Sequence, residues 1–193
     1  MPILPYKGIW PKIAEDVFVA EGAVVIGDVT IGEGSSIWYN VVVRGDTSPI
    51  VIGRNTNIQD NAVIHGQHGR ASIIGDNCTM GHLAIVHGAT VEDGSLVGIG
   101  AIVMAHAIVG TGSIVGPGAV VTERQVIPPH SLAVGVPAKV VKTLAGEAAN
   151  APLRTSESYA RNAKVHRARQ TAQEAPPPTP PGADVLGPTE PSK

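Results

Sequence analysis

The chain has 193 residues and a mass of 19.8 kDa, room for one domain with a sizeable core and too little for two ordinary ones. Its 14 basic and 16 acidic residues leave a formal charge of −2, so no overall field recruits nucleic acid or an anionic membrane. With 23 Gly, 16 Pro, two Trp, three Tyr and one Phe, the core cannot be built around large rings; it must stack small β-branched side chains, which suits short extended segments.

The first ten residues, MPILPYKGIW, lack a basic start, an apolar stretch and a small-residue cleavage site, so no secretory signal is expected. From there an aliphatic residue returns every sixth position. Val19, Val25, Ile31, Ile37 and Val43 begin the series; Ile52, Ile58 and Ile64 continue it after a small insertion, and Ile74, Met80 and Val86 after another. From Val91 it runs through Val97, Val103, Val109, Val115, Val121 and Ile127 without a break. Four residues after most anchors the side chain is small: Ala23, Ser35, Thr56, Ala62, Cys78, Ala84, Ser95, Ala101, Ala107, Ser113 and Ala119.

A helix repeats at about 3.6 residues and a plain strand at 2, so a sustained six implies a chain that turns a corner every six residues. The expected fold is all-β, a parallel β-helix of hexapeptide repeats over residues 1–145. Three hexads close one triangular coil, and successive coils stack about 4.8 Å apart. The left hand of the coil is what hexapeptide proteins share, and spacing alone does not give it. Cys78 is the only cysteine, which excludes an internal disulfide and agrees with a reducing, cytoplasmic setting.

Three histidines fall in the middle coils. His65 follows anchor Ile64 and His87 follows anchor Val86, so both occupy the same slot of the hexad. They lie 22 residues apart, one coil of eighteen plus the four extra residues between Ile64 and Ile74. Their imidazoles are therefore expected one rung apart on one face, close enough to share a metal. His82 occupies a different slot and does not reach that metal in a rigid prism. A third ligand then comes from the His82 of a neighbouring molecule, which predicts a closed three-fold ring. Three histidines that leave a fourth position to water make a catalytic rather than a structural zinc site. His68, in the insertion, is placed to line the mouth of the site, while His106 and His130 have no stacked partner and read as surface residues.

Gly94 to Thr122 carries no charge and is long enough to cross a bilayer, but its seven glycines, Pro117 and fixed six-residue interval argue against a membrane span. Residues 146–174 are expected to hold a C-terminal helix, whose composition runs from Ser156 to Gln173 with Ser156 or Ser158 as its cap. Its basic residues read as a solvated face. Residues 175–193 contain seven prolines and are expected to form a disordered tail.

VVRGD at 42–46, NIQDNAVIHG at 57–66, MGHLAIVHGATV at 80–91 and VGVPAKVVKTL at 134–144 together resemble the γ-class carbonic anhydrase family of hexapeptide proteins, over about residues 5 to 145. The resemblance implies a left-handed coil and a homotrimer whose metal is held by His65 and His87 of one subunit and His82 of the next. It further implies an Arg44–Asp46 ion pair across the subunit interface. Asn57 and Gln59 would bind or orient the metal-bound water, Asp60 would support the site, and Tyr159 would approach the metal from the C-terminal helix. The implied reaction is reversible hydration of carbon dioxide to bicarbonate by a metal-bound hydroxide; zinc, iron or cobalt all suit imidazole ligands. Three places depart from the family. Thr47 and the short turn GQHGR stand where active members carry glutamates, so proton export has no evident carboxylate. Ile99 replaces a family methionine, a packing change. The competing readings are an acyl-CoA-dependent hexapeptide transferase with one histidine as general base, a metal-dependent thioesterase, and a non-catalytic metal-binding scaffold.

Overall fold

The six-residue interval folds as a corner at every sixth residue. Every aliphatic anchor from Val19 to Ile127 is buried, and so is every small residue four positions later, where the corner leaves no room for a larger side chain. The computed structural model describes residues 2–172. Their strands wind as a left-handed parallel β-solenoid of about seven turns, followed by one C-terminal helix.

Corners require the left-handed backbone region, which side chains other than glycine adopt at a cost and asparagine tolerates best. Asn40, Asn55, Asn61 and Asn77 take φ of 59°, 49°, 60° and 55°. His106 and His130 hold the same kind of corner, at φ 61° and 52°, and both are exposed.

Two of the three faces are continuous, because the strand Val42–Ile52 bends through a corner. Its first half pairs with Val63–His65 and its second half with Ser72–Ile74, giving one twelve-stranded sheet. An eight-stranded sheet makes the third face. The extra residues after Ile64 form a turn in which Gln67 and Arg70 exchange backbone hydrogen bonds of 3.0 and 2.8 Å. Lys139–Thr143 runs antiparallel to Ser131–Val134 and pairs its outer edge, a closure the six-residue period does not announce. The uncharged stretch from Gly94 to Thr122 is a run of two-residue strands. Among the described residues no helix is long and apolar enough to cross a membrane.

The C-terminal helix, α1 (Ala151–Ala172), follows a 3-10 turn at Gly146–Asn150. It starts ahead of the expected cap at Ser156 or Ser158. Pro152 presets the backbone of its first turn, and Ser156 lies inside the helix with its Oγ donating to the Leu153 carbonyl at 2.9 Å. The helix lies along the third face of its own prism, over Phe18–Val19, Ser36–Ile37, Asn57–Ile58 and Thr79–Met80. Arg167 Nη2 donates to Glu15 O at 3.0 Å and ties the far end down. Residues 173–174 of the expected helix and the proline-rich tail at 175–193 lie outside the described residues.

Cys78 fills one of the small corner positions and is fully buried. Burial pushes its thiol up to about 12, helped by the charges of Asp93 and Asp76 and opposed by backbone hydrogen bonds from Ser95 and Gly94. A raised folded-state value means the neutral thiol stabilises the fold fully below the ordinary value near 9, and that contribution is lost as pH climbs from 9 to 12. Native protein at pH 8 should therefore react with a thiol-specific disulfide reagent at least about a hundredfold more slowly than unfolded protein. Between pH 9 and 12 the thermal midpoint should fall more steeply than in Cys78→Ala. Rapid labelling of the native chain would overturn this account.

Candidate functional site

The residue after each anchor points outward, because side chains alternate across a strand and the anchor points in. On the first face this slot holds Arg44, His65 and His87, and the register pairs Arg44 with His65 and His65 with His87 on consecutive rungs. The two imidazole centroids are 5.3 Å apart with their planes at 42°. Asp46 joins the column from the same bent strand. Its Oδ2 accepts from Arg44 Nη1 at 2.6 Å, its Oδ1 lies 2.9 Å from His65 Nε2, and Thr47 Oγ1 donates to that Oδ1 at 3.2 Å. The resemblance implied that the Arg44–Asp46 pair crosses between subunits; in the single chain the two bond each other.

The electrostatics follow from this packing. Burial alone would raise the Asp46 carboxyl, but hydrogen bonds from His65 and Arg44 and the guanidinium charge outweigh it and hold the group at about 2. His87 is shifted the other way. Burial is the first cause of its lowered value, and the neighbouring His65 and Arg44 add to it against the weaker pull of Glu123. His87 is thereby favoured as the neutral imidazole, the form that ligates a cation.

The remaining candidates gather on the third face, beneath α1. Asn57 and Gln59 are both buried. Asn57 Nδ2 donates to Thr79 Oγ1 at 2.9 Å and Cys78 O at 3.2 Å, and its Oδ1 accepts from Gln59 Nε2 at 3.1 Å. One residue on, Asp60 Oδ2 lies 2.8 Å from His82 Nδ1. A carboxylate on one ring nitrogen fixes a histidine's tautomer and aims the other nitrogen outward, the usual support for a metal ligand. That other nitrogen, Nε2, lies 3.4 Å from the Tyr159 hydroxyl. Burial raises the Tyr159 phenol, and the charge of Asp60 raises it further.

The structure thus sorts the candidates into two groups. Arg44, Asp46, His65 and His87 share the first face; Asn57, Gln59, Asp60, His82 and Tyr159 share the third. Among the described residues of the single chain, no three of His, Cys, Asp or Glu converge on one point. His68 is exposed on the inserted turn, where Gln67 Oε1 and Arg70 Nε are buried without a hydrogen-bond partner. Sequence reasoning passed over Thr47 as a contact, although its Oγ1 lies 3.4 Å from His65 Nε2. It also passed over Trp38, which packs edge-on against Tyr159 at 5.2 Å. A signal for Trp38 existed, since it follows anchor Ile37 in the slot that Gln59 occupies one rung away. The donor set fits a cation that prefers nitrogen: one imidazole favoured as neutral, one in register beside it, and one held from behind by a carboxylate.

Comparison with known proteins places this chain in a family. A family model described as bacterial transferase hexapeptide (six repeats) matches residues 11–45. A carbonic anhydrase of Geobacillus kaustophilus is 42% identical over 168 residues, 87% of this chain and 92% of the relative. A probable carbonic anhydrase of Methanocaldococcus jannaschii is 56% identical over 135 residues, 70% of this chain and 85% of the relative. A solved structure of a putative acetyltransferase from Bacillus cereus superimposes with a TM-score of 0.85 at 38% identity, covering 86% of this chain and 96% of that one. Identity of this extent, on a hexapeptide coil whose rungs carry His65, His82 and His87, means that the chain belongs to the γ-class carbonic anhydrase family.

Proposed function

We propose that this protein is a metal-dependent carbonic anhydrase that interconverts carbon dioxide and bicarbonate at sites between the subunits of a homotrimer. The observation that carries the reading is the in-register pair His65 and His87, with centroids 5.3 Å apart on one face, while His82 is aimed outward by Asp60 on another. The relatives named carbonic anhydrase support the same activity. In this reading His65 and His87 of one subunit and His82 of the partner subunit hold zinc, iron or cobalt. When bound, such an ion lowers the pKa of a coordinated water to about 7.

The chain's own residues do the rest. Gln59, its amide fixed by Asn57, orients the attacking water. Asp60 holds the proton of His82 on Nδ1 and leaves Nε2 to the ion. His65 would offer Nε2 to the ion in place of its bond to Asp46 Oδ1, and Arg44, bonded to Oδ2, would hold the carboxylate beside the site. Tyr159 supplies a phenol donor within reach of whatever occupies His82 Nε2.

Acyl transfer from coenzyme A is the second reading, favoured by the name of the Bacillus cereus structure. A transferase needs one histidine as base and gives no reason for two in register. Incubation with acetyl-coenzyme A and a panel of amine and hydroxyl acceptors tests it, and release of free thiol that needs an acceptor would favour it.

Two outcomes are expected from the leading reading. His87→Ala and His82→Ala are each inactive and metal-poor, but refolding them as a mixture restores about a quarter of the parent's sites, since half the subunits keep the pair and half their neighbours keep His82. A site contained within one chain would show no recovery. Because Thr47 and the turn at Gln67–Arg70 supply no carboxylate to take the proton, hydration should be slow and should rise with buffer concentration until it saturates. A fast rate that ignores buffer would show that an internal proton acceptor exists.

A further inference from the structure

We propose that Trp38 is a positioning residue for this site: its buried indole fixes the phenol of Tyr159 beside the outward nitrogen of His82. For its effect on turnover the proposal rests on the metal-centre reading above; for its effect on Tyr159 it rests on packing alone.

Helix α1 buries few side chains, and its hydrogen bonds to the prism from Arg167 Nη2 to Glu15 O at 3.0 Å, from Gln170 Nε2 to Val19 O at 3.2 Å and between His166 Nδ1 and the Tyr39 hydroxyl at 2.9 Å all lie towards its C-terminal end, beyond Tyr159. Of its 22 residues only Pro152, Ser156 and Ala163 are buried. The aromatic rings beneath it supply what the aliphatic contacts lack. Trp38 meets Tyr159 at 5.2 Å and 89°, and His166 at 4.9 Å and 72°. Tyr159 and His166 are seven residues apart, two turns along one face of the helix, so a single indole grips the helix at two levels. Phe18 backs the indole from the strand side at 5.4 Å and 71°. Perpendicular ring contacts set the positive edge of one ring against the negative face of another and are therefore directional.

The indole is itself fixed. It is 5% exposed, and its Nε1 donates to Ser36 Oγ at 3.0 Å, which selects one orientation of the ring. A continuous chain of contacts then runs from prism to helix and back to prism: Ser36 to Trp38, Trp38 to Tyr159, Tyr159 to His82, and His82 to Asp60. The hydroxyl of Tyr159 lies 3.4 Å from His82 Nε2, at the outer limit of a hydrogen bond, so a small swing of the phenol breaks the contact. Outer-layer packing of this kind decides whether a site side chain is held or wanders.

The test uses the full-length, metal-loaded protein. Trp38→Leu and Tyr159→Phe should each lower kcat about tenfold with KM changed by less than about twofold. The double variant should fall no further than either single one, as expected when one residue acts through the other. Trp38→Phe keeps a ring at the contact and should restore most of the rate. Incorporation of 3-fluorotyrosine gives a readout independent of metal and turnover: the Tyr159 fluorine resonance should be single and sharp in the parent and in Trp38→Phe, and broadened or split in Trp38→Leu. Hydrogen exchange over Ala151–Ala172 checks that the helix stays docked. Multiplicative losses in the double variant, an unchanged Tyr159 resonance, or a helix released in Trp38→Leu would each overturn the positioning role. A parent protein that does not hydrate carbon dioxide overturns the functional reading instead, and the fluorine spectrum then decides the role of Trp38 by itself.

Discussion

One aliphatic side chain must turn inward at every sixth residue, and the rest of the molecule depends on that constraint. It sets the corner positions, which must be small within and left-handed in backbone. It also aims the following residue at solvent, so a polar side chain in that slot is displayed on a rigid, repeating surface. Neighbouring rungs are about 4.8 Å apart, and that spacing is held by the backbone ladder rather than by the side chains. Arg44, His65 and His87 are brought together by counting residues, with no need for any attraction among them. A site built this way is preorganised before any ligand arrives.

Much of this was readable in the sequence because the period is long and rarely broken. Where it is broken, at the turn between Ile64 and Ile74, the four extra residues still permitted a register for His65 and His87, and the strands pair them so. The separation of His82 followed from the same count. What the count could not carry was contact between elements of unrelated period. The antiparallel strand Lys139–Thr143 repeats nothing that precedes it. The start of α1 was misjudged because Ser156 looks like a cap, whereas Pro152 already opens the helix and Ser156 bonds back within it. Trp38 was missed for the same reason, since its role lies in ring contacts to a helix more than a hundred residues away in the chain.

The two groups of site residues differ in how they are supported. The first-face group leans on charge: Asp46 binds Arg44 and His65 at once, and burial of its carboxyl is outweighed by those two partners. The third-face group leans on neutral hydrogen bonds and rings. Asn57 and Gln59 satisfy each other in a buried position, which such amides require, because an unpaired buried amide costs about 1–3 kcal/mol. Among the described residues, no hydrogen bond or ion pair joins one group to the other.

That independence bears on how the two groups would meet. Arg44 is always charged. A column that stacks it on two imidazoles in consecutive rungs therefore disfavours further positive charge, and His87 is accordingly pushed towards neutrality by burial, by His65 and by Arg44. The Asp46 carboxylate, held at about 2, bonds His65, and His87 lies on the next rung, so a fixed negative charge stands within one rung of an imidazole favoured as neutral. His82 is oriented by another route, with Asp60 Oδ2 2.8 Å behind its Nδ1. In the proposed reading these two groups are the half-sites that a cation shared between neighbouring prisms would join.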